Sequence, residues 1–137
     1  MKLVRAYRVG SVTALPAPVG EYGTLTAVCD AARPVGHTPR GGSLFAAPDL
    51  LGATRWVRSA LMMRSDVTCH ALHVDPTGLR GYRIGAWDAA TVSFLSCAVR
   101  TERFGAYWAS GIPLSEWTGD LDGREWEVLV PVERILG

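Results

Sequence analysis

Gly42-Ser43-Leu44-Phe45-Ala46-Ala47-Pro48-Asp49 and Glu125-Trp126-Glu127-Val128-Leu129-Val130-Pro131 decide how this chain is read. The first is a short apolar run that opens after a glycine turn and closes on Pro-Asp, the pair that starts a helix: a buried strand over Ser43 to Ala47, then a helix to about Met63. Leu50, Leu51, Trp56, Val57 and Leu61 are its expected apolar side. In the second, Trp126, Val128 and Val130 alternate with Glu127 and Leu129, the two-residue period of a strand, and Trp117 to Gly123 supply the turn before it.

Working outward, Leu3 to Val9 reads as a first strand, and Thr13 to Gly42 as a proline- and glycine-rich crossing with a short helix around Thr24 to Ala32. Val67 to Val74 and Gly81 to Trp87 read as strands joined by the turn Asp75-Pro76-Thr77-Gly78, and so as an adjacent pair. Asp88 can cap a helix, but Thr91-Val92-Ser93-Phe94 favours a strand over Val92 to Val99. Strands and helices together along one short chain read as a single α+β domain over residues 1–137.

Composition limits the function classes. With 48% hydrophobic and 20% charged residues the chain is neither disordered nor fibrous, and its net charge of +1 provides no overall field for nucleic acid or an anionic membrane. The 3 cysteines, Cys29, Cys69 and Cys97, form no CxxC pair and read as reduced, buried thiols. No apolar run reaches the ~20 residues of a membrane span, and Met1 to Gly10 lacks the apolar centre of an export signal. The expectation is a soluble protein without a membrane partner, cytoplasmic or delivered as an effector domain. His70 and His73, three apart, cannot share a strand face, so no metal site is expected there. Nor is there a phosphate-binding glycine loop or a nucleophile elbow.

Three separated pieces carry a chemical hypothesis: Tyr7-Arg8 on the first strand, Ser43-Leu44-Phe45-Ala46-Ala47-Pro48 leading into a helix, and Glu125-Trp126-Glu127. Their order resembles the mono-ADP-ribosyltransferase family, nearest its pertussis- and cholera-toxin-like branch. That branch has an aromatic-Arg pair, a Ser-Thr-Ser strand and a catalytic Glu. The run Glu127 to Ile135 also resembles the branch's Glu-hydrophobic-hydrophobic ending with Pro-x-Glu-x-Ile.

The resemblance implies an ADP-ribosyltransferase-like fold, two small, mainly antiparallel sheets packed together with flanking helices, and a toxin-like glycosyltransferase with NAD as substrate and no metal, its cleft lying between the two sheets. It implies that Arg8 binds the pyrophosphate of NAD through its planar fork of donors. Ser43, Phe45 and Ala46 would line the nicotinamide pocket, and Glu127 would stabilise an oxocarbenium-like ribosyl cation. Glu125, two residues earlier, would face the same cleft and orient or deprotonate the acceptor. Ala46 and Ala47 stand where the family has hydroxyls, so the serine-threonine motif is degenerate. His37 is a further candidate base, and Trp117 lies in the loop corresponding to acceptor recognition. The acceptor is open among protein, nucleic acid and small molecule. Water as acceptor would make an NAD glycohydrolase. A noncatalytic NAD- or partner-binding module on the same fold is the alternative, and an unrelated interaction domain another.

Overall fold

The computed structural model describes residues 1–8, 20–53, 67–95, 102–118 and 120–136. The strands are β1 (Lys2–Arg8), β2 (Ser43–Ala46), β3 (Val67–His73), β4 (Arg80–Arg83), β5 (Ile112–Pro113) and β6 (Trp126–Pro131). The helices are α1 (Gly20–Ala31), α2 (Ile84–Leu95) and α3 (Glu102–Ala109). The described architecture is α+β, with a two-stranded sheet β1-β3 and a four-stranded sheet β2-β6-β4-β5, all pairs antiparallel.

The pleat divides the interior in two. Leu44 and Ala46 of β2 with Val128 and Val130 of β6 face Leu3 of β1 and Leu72 of β3, forming an apolar layer between the sheets. Phe45 and Leu129 point the other way, toward Leu25 and Cys29 of α1, Ala90 of α2, and Phe104, Tyr107 and Trp108 of α3. β6 is therefore buried on both faces, as expected of an inner strand of the larger sheet.

Three expectations are corrected. β3 and β4 are not partners: β3 pairs with β1, while β4 pairs with β5 and β6. The 75–78 turn, with Gly78 at φ 75° and Asp75 accepting from both Thr77 N–H and Arg134, carries the chain from one sheet to the other. The strand expected over Gly81 to Trp87 ends at Arg83, and 84–95 is helix rather than strand. Ala86, Trp87 and Ala90 recur at helical spacing against the core, and Thr91 Oγ1 donates to Trp87 O (3.0 Å), so the β-branched run is accommodated within a helix. Leu50 and Leu51, expected on a packed helix face, are exposed in the helical turn at 50–53. The remainder of the expected helix, with Trp56, Val57 and Leu61, lies outside the described residues, as do Cys97 and the end of the strand expected over Val92 to Val99.

α3 had no counterpart in the reading of the sequence. It is eight residues long, with Phe104, Tyr107 and Trp108 buried at three-four spacing and Arg103, Gly105 and Ala106 exposed. Trp108 Nε1 donates to Cys29 O (2.9 Å) and pins α3 to the end of α1. Burial pushes the Cys29 thiol up to about 12, so it is a core group and not a reactive one.

Candidate functional site

Glu127 is the charged residue in a strand that is otherwise apolar or aromatic. It lies directly opposite Tyr82 of β4 and points to the helix side of the larger sheet, only 5% exposed. A carboxylate removed from water this far needs charged or hydrogen-bonded partners. Its partner is Arg40, whose Nη1 donates to Glu127 Oε1 at 2.5 Å. The same Nη1 donates to the Tyr107 hydroxyl (2.6 Å), which in turn donates to Glu127 Oε1 (2.8 Å).

Arg40 comes from the loop between α1 and β2. The Asp30 carboxylate in the last turn of α1 accepts from the backbone N–H groups of Arg40 (2.8 Å) and Gly41 (2.9 Å). Gly42, at φ 79°, then turns the chain into β2. With its backbone held in this way, the Arg40 side chain runs inward. Its guanidinium carbon lies 3.6 Å from the ring centre of Trp87, 4.7 Å from that of Phe45 and 5.1 Å from that of Tyr107. Burial alone would make Arg40 easier to deprotonate, but the Glu127 charge overrides this and raises its pKa. Burial, reinforced by Glu127, raises the Tyr107 phenol, which stays a neutral donor. Arg40 Nε is buried with no hydrogen-bond partner among the described residues.

Comparison with protein-family models, curated proteins and solved structures found no match.

The residues singled out in the sequence are distributed unevenly around this cluster. Phe45 belongs to it, flanking Arg40. Ala46 points into the layer between the sheets, because it alternates with Phe45, so it lies on the face opposite Glu127. Ser43 is buried, but its Oγ donates to Pro39 O (2.6 Å) and so secures the loop. Glu125 does not share a strand face with Glu127. It ends a 3-10 turn (Gly123–Glu125) before β6, is exposed, and accepts from Arg83 Nη1 at 3.3 Å. Arg8 ends β1 opposite Val67; its side chain lies outside what is described. The space between the sheets, expected to hold the cleft, is filled by the apolar layer, and the charged cluster occupies the opposite face of the larger sheet.

Trp117 stands edge-on to Trp126 at 5.4 Å and packs its loop onto β4, where Gly81 leaves room for the Trp117 ring. Among the described residues no three His, Cys, Asp or Glu side chains converge as a metal site. No helix among them is long and apolar enough to cross a membrane.

His37 shares a hydrogen bond between Nδ1 and the Tyr82 hydroxyl (2.8 Å) and stands edge-on to Trp108. Burial, then the charges of Arg80 and Arg33, lower its pKa. A lowered pKa means the unfolded chain takes up the proton first. His37 therefore contributes stability that is present above the unfolded value of 6.5 and is lost as pH falls through the folded one. Its imidazole resonances should titrate with a midpoint below 6.5, and Arg80→Ala should move that midpoint upward. A wild-type midpoint at or above 6.5 refutes the assignment.

Proposed function

We propose that this protein is an NAD-dependent mono-ADP-ribosyltransferase. The observation that best supports the reading is Glu127: a strand carboxylate paired with Arg40 within a surround of Trp87, Phe45 and Tyr107. Nicotinamide is a flat, cationic leaving group until the glycosidic bond breaks, and an aromatic surround with a carboxylate suits both that ring and the ribosyl cation left behind. In this reading Arg8 holds the pyrophosphate and Phe45 lines the nicotinamide pocket. The bond from C1′ of the ribose to the pyridinium nitrogen breaks, and nicotinamide leaves with the electron pair. Glu127 stabilises the cation, and the acceptor attacks C1′ and gives up a proton. Glu125, exposed beside Arg83, remains the candidate for the acceptor side. Water as acceptor makes the same steps an NAD glycohydrolase.

A second reading, NAD binding without turnover, draws on the burial of Glu127 beneath Arg40. Release of nicotinamide from NAD separates the two. The wild type should release it and Glu127→Gln should lose at least about 10²-fold in rate, the scale of removing one electrostatic stabiliser of a transition state. Assays run below each variant's melting transition keep unfolding out of the comparison. NAD binding by calorimetry without nicotinamide release selects the second reading, and neither binding nor release defeats both.

A further inference from the structure

Resting on the transferase reading, we infer that Arg40 and Tyr107 are positioning residues for Glu127, fixing one carboxylate oxygen so that the other is aimed at the ribose of NAD. Both donors converge on Oε1, and Oε2 takes part in neither bond. A carboxylate held by two donors at one oxygen has lost most of its freedom to turn about its last torsion, so the position of the second oxygen is set before substrate arrives.

The donors are themselves fixed. Asp30 anchors the Arg40 backbone at two successive N–H groups, the guanidinium lies over Trp87 and beside Phe45, and Tyr107 is stacked on Tyr82 at 5.0 Å. A restraint chain thus runs from the end of α1, through the loop and α3, to one oxygen on β6. Among the described residues, Phe45 on β2 and Leu129 on β6 itself carry no donor, and the hydroxyl of Tyr82 on β4, opposite Glu127, bonds to His37.

Stability alone accounts poorly for such a device. A buried ion pair contributes little net against an apolar replacement, and this one leaves the Arg40 Nε donor without a hydrogen-bond partner among the described residues. A restrained oxygen is the return on that cost.

The test compares steady-state nicotinamide release from NAD by wild type, Arg40→Lys, Tyr107→Phe, Glu127→Gln and Val130→Ala, each below its melting transition. Lysine keeps the charge but loses the planar stack, and phenylalanine keeps the ring but loses the hydroxyl. Val130 lies on the opposite face of β6 and reports the effect of lost packing alone. The expected result is a kcat reduced by about 10²-fold in Arg40→Lys and roughly 10-fold in Tyr107→Phe, with KM within about threefold of wild type. Val130→Ala should lower the melting temperature and leave kcat unchanged. If Arg40→Lys does not fold, Tyr107→Phe decides. An unchanged kcat in the positioning variants alongside an inactive Glu127→Gln overturns the positioning role and leaves the transferase reading standing. A rise in KM at constant kcat overturns it equally, since the groups would then be binding NAD. A wild type that releases no nicotinamide overturns the reading and the inference together.

Discussion

Glu127→Leu should destabilise the fold by about 3–5 kcal/mol, and Arg40→Met by a similar amount, because each leaves the other charge buried without its counter-ion. Both partners are well below one-tenth exposed, so water cannot replace the missing group. For a domain of this size roughly 2–8 °C of melting temperature corresponds to each kcal/mol, so each single variant should melt more than about 6 °C below wild type. The double variant Arg40→Met with Glu127→Leu should recover most of that loss, since two apolar side chains then meet among Trp87, Phe45 and Leu129. What it keeps is the Tyr107 hydroxyl, stranded without either of its partners, at about 1–3 kcal/mol. Adding Tyr107→Phe should remove that remainder. Thermal and urea melts of the whole series supply the cycle. Additive single effects, with the double variant as damaged as the sum of its parts, would mean that Arg40 and Glu127 are not the coupled pair described.

Glu127 could be picked out from the sequence through the resemblance that Glu125-Trp126-Glu127 and the run after it carry, not through any local sign that it is buried. Arg40 could not. Its meaning comes from a contact across 87 residues, and locally Arg40-Gly41-Gly42 reads only as a turn. The pleat explains the other differences. Once Phe45 and Glu127 share the helix-facing side, Ala46 must face away, so its missing hydroxyl is not missing from the neighbourhood of Glu127. β1, β2, β3 and β6 were legible as short apolar, strand-compatible or alternating runs bounded by glycine or proline. α2 and α3 were not, because Thr91-Val92 and Phe104-Tyr107-Trp108 are rich in residues that suit a strand equally well, and their helical spacing matters only where a core lies along one side. The sheet change at 75–78 was hidden for a related reason. A turn signal reports that the chain bends, not which strand it meets next.

Gly52→Ala should be among the costliest single-atom additions to the chain, at about 3 kcal/mol. The peptide N–H of Gly52 donates to Asp49 Oδ1 (2.8 Å), closing the helical turn that follows β2, and this turn lies directly against the one that precedes β6. A β-carbon on Gly52 would stand 2.5 Å from Gly123 O and 3.0 Å from the Ala47 β-carbon. The obstruction is backbone, which cannot rotate aside as a side chain can, so the two turns must separate, at the upper end of the usual overpacking penalty. Gly123→Ala meets the Asp49 carboxylate instead, and that group can swing away only by releasing the Gly52 N–H. Gly105→Ala is the opposite case. It lies in α3 with nothing within 4 Å of the added carbon, and should stabilise by about 0.5–1 kcal/mol through helix propensity. The same methyl group should therefore lower the melting temperature at position 52 and raise it at position 105. Because the 3-10 turn at Gly123–Glu125 leads directly into Trp126 and Glu127, displacement by Gly52→Ala should, under the proposed transferase function, also slow nicotinamide release, whereas Gly105→Ala should not. Melting of Gly52→Ala within about 1 kcal/mol of wild type would show that the two turns are not in backbone contact, and the link from the β2 turn to the placement of Glu127 would fall with it.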